Sequence, residues 1–274
     1  MDAKRQAKTM LGRLMYASGR HRPAFEQRSV ITCFHSINDD QSSPVACTSA
    51  QFEEYCSFFK KYFDTISLTA LLDRLAAEED ISGTAVITFD DGYLDNFELG
   101  APILEKYGLP ATFFVATDFI GSEHQAWWDS DCDISSKWMS WDNVRGLSDA
   151  GFELGAHTCS HANLGKIPLS EAKEEIDGSV AAIEQETGKP TTLFAYPFGG
   201  IDNMTPEVRE HIRISGLRCC PSSYGGLVSP QTDPFDLPRL PIINWYQSAY
   251  QFGFEASRLR DKDFVPHQSR STPD

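Results

Sequence analysis

Two carboxylates stand side by side at Asp90-Asp91-Gly92, and two histidines stand four residues apart at His157 and His161. One carboxylate and two imidazoles can hold a divalent ion, and three protein ligands leave coordination positions open for water and substrate, as a catalytic site needs. The second carboxylate would then stay free as a base. Taken as a helical turn, the histidine spacing puts both rings on one face. Thr158 rather than Glu follows His157, so the HExxH pattern of metalloproteases is absent. A third candidate is Tyr196-Pro197-Phe198-Gly199-Gly200, a rigid turn followed by flexible glycine that could present a backbone N–H to a developing oxyanion. Each pattern also has an ordinary reading. Asp-Asp-Gly is an Asx turn in most proteins, most His pairs at this spacing bind nothing, and a Pro-Phe-Gly-Gly run is a common way to leave a strand.

The elements around these residues decide between the readings. β-rich runs at 30–34, 85–89, 111–115, 152–155, 192–195, 217–220 and 239–243 alternate with helical patterns, which predicts an α/β fold of mostly parallel strands. The helices are expected at a Ser49-capped stretch through Phe59, then at 69–77, 97–107, 141–150, 170–187 and 205–215. Four strands each run straight into a candidate: Phe34 into His35, Phe89 into Asp90 and Asp91, Gly155 towards His157, and Ala195 into Tyr196-Pro197-Phe198. In a parallel barrel the C-terminal strand ends share one face, the face where barrel enzymes keep their chemistry. His35 also has a bland reading, as a hydrogen-bonded structural histidine. Between Asp118 and Met139 the pattern breaks into a polar excursion whose Trp127, Trp128 and Trp138 could stack on sugar faces or pack the loop.

The chain has 274 residues, 41% of them hydrophobic, which suits a single sizeable domain. A formal charge of −15 argues against a nucleic-acid partner and makes a strongly anionic polymer a less natural substrate. The seven cysteines form no CxxC pair, so reduced thiols in a cytoplasmic protein are expected. No run approaches the ~20 apolar residues of a membrane span. The basic N-terminal stretch lacks the apolar segment of a signal peptide. It carries a weak stripe of Leu11, Leu14, Met15 and Ala17, read as a docking helix or, alternatively, as a weak membrane-surface contact.

At this point the residues resemble a known family. Thr88-Phe89-Asp90-Asp91-Gly92, His157-Thr158-Cys159-Ser160-His161 and Phe194-Ala195-Tyr196-Pro197-Phe198-Gly199 look like the three motifs of the polysaccharide deacetylase (NodB-like) family, in order. Trp141 to Leu164, with Gly151 to His157 inside it, and Asp233 to Arg239 are also similar to family sequence, and the resemblance runs from about Val30 to Ile243. It implies a distorted (β/α) barrel of about seven parallel strands. It also implies Asp90 as general base, Asp91, His157 and His161 as ligands of a divalent metal (most often Zn2+), and the Phe198 amide in an oxyanion hole. Many members carry an Arg shortly before the third-motif proline, but here Thr191, Thr192, Leu193 and Phe194 stand there, and Arg239 is the candidate to orient the base. Many also supply the general acid from a late His, and here the late one is His267, in the polar tail. A subgroup with permuted motif order instead resembles this chain through a strand-end His near the N-terminus, which is His35. The expected layout is a basic arm at 1–27, a catalytic domain at 28–255 and a disordered tail at 256–274. The implied activity is N-deacetylation of an acetylated, amino-sugar-containing saccharide. O-acetyl ester hydrolysis, non-sugar amide hydrolysis and non-catalytic carbohydrate binding are the alternatives.

Overall fold

The computed structural model describes residues 3–39, 43, 45–126 and 137–259. In chain order its helices are α1 (Ala3–Ala17), α2 (Ser49–Tyr62), α3 (Leu68–Ala76), α4 (Ala101–Tyr107), α5 (Trp141–Asp149), α6 (Leu169–Thr187), α7 (Pro206–Ile214) and α8 (Ala249–Ala256). The strands are β1 (Ser29–Phe34), β2 (Asp64–Thr65), β3 (Thr84–Phe89), β4 (Thr112–Val115), β5 (Glu153–Ala156) and β6 (Leu240–Pro241). They form one parallel sheet in the order β5-β4-β3-β1-β6, and β2 pairs with the start of β3.

The two central strands read Ser-Val-Ile-Thr-Cys-Phe and Thr-Ala-Val-Ile-Thr-Phe, and every residue of both is buried. Near-continuous β-branched and aromatic runs are what a parallel strand covered on both faces requires. Their register pairs Ser29 with Thr84 and ends by pairing Phe34 with Phe89, so the two strands stop level. The backbone N–H of Asp90 then donates to Phe34 O at 2.9 Å, which brings the β1 and β3 exits together. Behind them the rings of Phe34, Phe89 and Phe113 stack in sequence, at 5.4 and 4.8 Å between centroids. This apolar floor fixes the height of the strand ends.

Several boundaries differ from expectation for physical reasons. Thr48, not Ser49, caps α2, because Thr48 and Gln51 exchange bonds in a capping box. The run 192–195 joins the sheet through a single parallel bridge, Ala156 to Phe194. The run 217–220 forms no strand, and only Pro221 bridges to Leu237. β6 is two residues long because Pro241 has no N–H for a ladder bond.

The N-terminal arm is helical and docked. At Gly12 a Cβ would lie 2.1 Å from the carbonyl oxygen of Tyr250, so α1 and α8 touch backbone to backbone. Tyr16 is buried, stacked on His21 at 4.1 Å and edge-on to Phe58 at 4.7 Å. Of the expected stripe only Met15 packs inward, half-buried against the core, whereas Leu11, Leu14 and Ala17 face solvent. Among the described residues no helix is long and apolar enough to cross a membrane. The tail from 260, with His267, lies outside the described residues, as do Trp127 and Trp128.

Candidate active site

β3 delivers both carboxylates, and the backbone at Asp91 separates them. Asp91 has φ 76°, a left-handed conformation that sends adjacent side chains to different partners. Its Oδ1 lies 3.4 Å from Nε2 of His157 and 3.4 Å from Nε2 of His161. His157 follows β5, and its Nδ1 sits 2.8 Å from Ala195 O. With the proton on Nδ1, that bond orients the ring and leaves the Nε2 lone pair facing Asp91.

His161 does not reach the cluster on a helical turn. Residues 157–161 bend instead, with Thr158 at φ 64° and His161 at φ 59°. Glu175, on α6, holds the bend by accepting from the backbone N–H groups of Cys159 and Ser160, each at 2.9 Å, and from Ser160 Oγ at 2.6 Å. Among the described residues six non-glycine positions have positive φ, and Asp91, Thr158, His161 and Phe198 are four of them. Left-handed non-glycine residues concentrate where a fold over-determines a functional geometry.

The donor set fits a divalent cation. The three ligand atoms lie within 4.8 Å of one another, and Asp91 Oδ1 is buried without a hydrogen-bond partner. Ligands about 2.0–2.1 Å from a tetrahedral zinc stand about 3.3 Å apart, and both carboxylate–imidazole distances are 3.4 Å. Burial pushes the Asp91 carboxyl up, yet the two imidazoles outweigh it and hold the group well below the usual range. Burial likewise opposes charge on His157, but Asp90 and Asp91 raise it, whereas for His161 burial wins and lowers it.

Asp90 is kept apart from that set. Arg239 grips it bidentately, Nη1 to Oδ1 and Nη2 to Oδ2, both at 2.7 Å. The guanidinium is fully buried and also donates to Ser222 O, Thr88 Oγ1 and Ser223 Oγ. Burial alone would raise the Asp90 carboxyl, but Arg239 and the nearby imidazoles bring it down to about 2. Cys33, whose thiol burial pushes well up, donates to Asp90 Oδ2 at 3.2 Å. His35 leaves β1 beside this pair, its Nδ1 buried without a hydrogen-bond partner and its backbone carbonyl accepting from Asn96 at 2.6 Å. Ligand-type atoms of Cys33, His35 and Asp90 lie within 4.8 Å of one another.

The third turn closes the site. Phe198 is 42% exposed, at φ 65°, with its ring 4.9 Å from that of His161. Tyr196 Oη donates to Gly199 O at 3.1 Å, and Ser223 N donates to the same carbonyl at 2.8 Å. A Cβ on Gly199 would meet Ser223 N at 2.4 Å, so glycine permits this approach. The Phe198 turn and Arg239 are thus fastened to one segment, Ser222-Ser223.

All seven candidates from the sequence converge on one face of the sheet, in two groups around Asp90 and Asp91. Trp138 does not join them. It is buried against Tyr93 and Phe119, and its indole N–H donates to His124 O, so it packs its loop. Sequence reasoning missed Cys33, Thr88, Ser222, Ser223 and Glu175. Cys33 and Thr88 were findable, since each stands two residues before a candidate on its strand and so shares its face.

The chain is similar to known proteins in sequence and in fold. YxkH of Bacillus subtilis is 25% identical over 186 residues, which cover 66% of this chain and 60% of that protein. A poly-beta-1,6-N-acetyl-D-glucosamine N-deacetylase of Staphylococcus aureus is 29% identical over 165 residues, 57% of this chain and 53% of that one. The chain therefore spans between half and two thirds of the length of these relatives. In fold it is similar to IcaB from Ammonifex degensii, with TM-score 0.71 and 22% identity over 84% of this chain and 97% of that one. It is similar in the same way to the deacetylase PplD of Streptococcus pyogenes, with TM-score 0.70 and 17% identity over 85% and 99%. Both likenesses are of fold, and they make the sheet that of a distorted β/α barrel. A sequence profile described as polysaccharide deacetylase matches residues 77–216, a span that contains Asp90, Asp91, His157, His161 and Phe198. With half the chain matched and its carboxylates and imidazoles gathered at the strand ends, the protein belongs to the polysaccharide deacetylase family.

Proposed function

We propose that the protein hydrolyses N-acetyl groups on an amino-sugar-containing polysaccharide or oligosaccharide. The observation that carries this reading is the division of labour between adjacent carboxylates: Asp91 faces two imidazoles, whereas Asp90 is clamped by Arg239. Asp91, His157 and His161 would hold a divalent metal, with Zn2+ the best match to the donor set. When bound, such an ion activates water and polarises a carbonyl.

Asp90 accepts the proton of the attacking water, which adds to the acetyl carbon. Arg239 keeps that carboxylate ionised and aimed, as a positioning residue. The Phe198 amide donates to the oxygen of the tetrahedral species. His35, beside Asp90, gives a proton to the sugar nitrogen as the C–N bond breaks, and acetate and free amine leave. We assign this work to a catalytic unit spanning 28–255, with 1–27 as an attached arm. The name of the Staphylococcus aureus relative supports the amino-sugar substrate.

The test is acetate release from a panel of N- and O-acetylated oligosaccharides, with and without chelator. Chelator-sensitive release from N-acetylated sugars is the expected result. Release only from O-acetyl esters or from non-sugar amides would replace the substrate assignment. No release from any, with metal supplied, would make the protein a non-catalytic binder.

A further inference from the structure

α1 is packed inside out. At about 100° per residue, Arg5, Lys8, Thr9, Gly12, Met15 and Tyr16 share its inward side, and of these only half-buried Met15 and the Tyr16 ring bring apolar bulk. Arg5 lies over the Trp245 ring at 4.1 Å, Lys8 donates to Glu255 at 2.9 Å, and Thr9 bonds Ser248 at 3.1 Å. The outward side carries Ala3, Ala7, Met10, Leu11, Leu14 and Ala17, all exposed. Met10 is 67%, Leu11 50% and Leu14 61% exposed, which puts three of the most exposed large apolar side chains of the fold on one helix face. A surface helix normally buries its apolar stripe and wets its charges. This helix does the reverse, and the close approach at Gly12 leaves no room for it to roll over.

The charge around that face identifies what covers it. Residues 3–25 hold six Lys and Arg and no Asp or Glu, in a chain whose formal charge is −15. Lys4 and Arg13 are exposed on the helix flanks of that face, Arg13 also 3.9 Å from Glu54, and Arg20 and Arg22 are exposed in the segment that follows α1. Apolar side chains rimmed by Lys and Arg match the boundary of an anionic bilayer, where the apolar face enters the acyl region and the cations meet headgroups. A second copy fits poorly, because a two-fold pairing through α1 would set basic rim against basic rim. We propose that the outer face of α1 docks the protein on an anionic lipid surface, with the acidic remainder of the molecule turned away from it. This proposal is independent of the reaction assigned above.

Flotation of the full-length protein with vesicles tests it. One set would be phosphatidylcholine alone, and the other would carry phosphatidylserine as well. The full chain should bind the anionic vesicles at least about tenfold better than the neutral ones and release them at high salt. Met10→Gln/Leu11→Gln/Leu14→Gln should lose that binding while keeping its melting temperature and its rate on a soluble substrate. Should the triple variant fail to fold, Arg20→Ser/Arg22→Ser supplies the test through weaker binding and a shallower salt dependence. No binding to anionic vesicles, equal binding to neutral ones, or binding unchanged in the variants would overturn the proposal. So would self-association that the triple variant abolishes without any lipid binding, which would assign the face to a second copy.

Discussion

Asp90 and Asp91 are neighbours in sequence with opposite surroundings, and single substitutions should separate them. Asp90→Asn should keep its metal by elemental analysis and lose roughly 10²–10⁴ in acetate-release rate, the scale of a missing general base. Asp91→Asn should lose the metal itself, and the reverse pattern would exchange the two roles. Arg239 invites a different measurement. Arg239→Met leaves a buried carboxylate without its partner, which should cost about 3–5 kcal/mol in urea unfolding at neutral pH. The folded Asp90 carboxyl is held at about 2, below the ~3.9 of an unfolded chain. Its contribution is therefore complete above pH ~4 and is lost as the pH falls towards 2. Unfolding midpoints of wild type and variant should converge over that window, and a gap that persists unchanged into acid would point to lost packing instead.

β5 leads directly into His157, and its packing shows how an element can control the ligand it delivers. A Cβ on Gly155 would lie 2.4 Å from the Phe114 ring, and the Arg239 guanidinium lies over that same ring at 5.6 Å. Gly155→Ala should cost about 1–3 kcal/mol by overpacking. Because His157 follows two residues later, its metal affinity should fall as well, which titration of the apo-protein can read. Normal affinity in a destabilised variant would show that Phe114 yields and β5 does not. The strands that carry Asp90 and His35 were legible because continuous burial prints a near-continuous β-branched and aromatic run. Two features were not. The bend at 157–161 depends on Glu175, a residue of a later helix, and nothing in the local spacing reveals that anchor. The outward stripe of α1 was visible as a stripe, but its direction is decided by Gly12 against Tyr250, a packing fact with no local signature.

At the scale of the molecule, the buried unsatisfied Asp91 oxygen ties the site to global stability. An ion that binds only the folded state stabilises it by RT ln(1 + [L]/Kd), or about 2.7 kcal/mol at a hundredfold excess over Kd. Chelation should therefore lower the melting temperature, re-addition of metal should restore it, and Asp91→Asn should be insensitive to both. An unchanged melting temperature on chelation would contradict a resident metal at this cluster. The pairing of β1 with β6 has a consequence for biosynthesis. β1 leaves the ribosome well before its partner, since Leu240 and the guanidinium of Arg239 follow Thr32 by about two hundred residues. Until they emerge, the nascent chain carries an open strand edge and a carboxylate with no counter-charge. Those are the hazards for which long-range parallel pairing is slow and aggregation-exposed. Translation that stalls before Arg239 should thus yield a product that already contains all three signature motifs and cannot close around them.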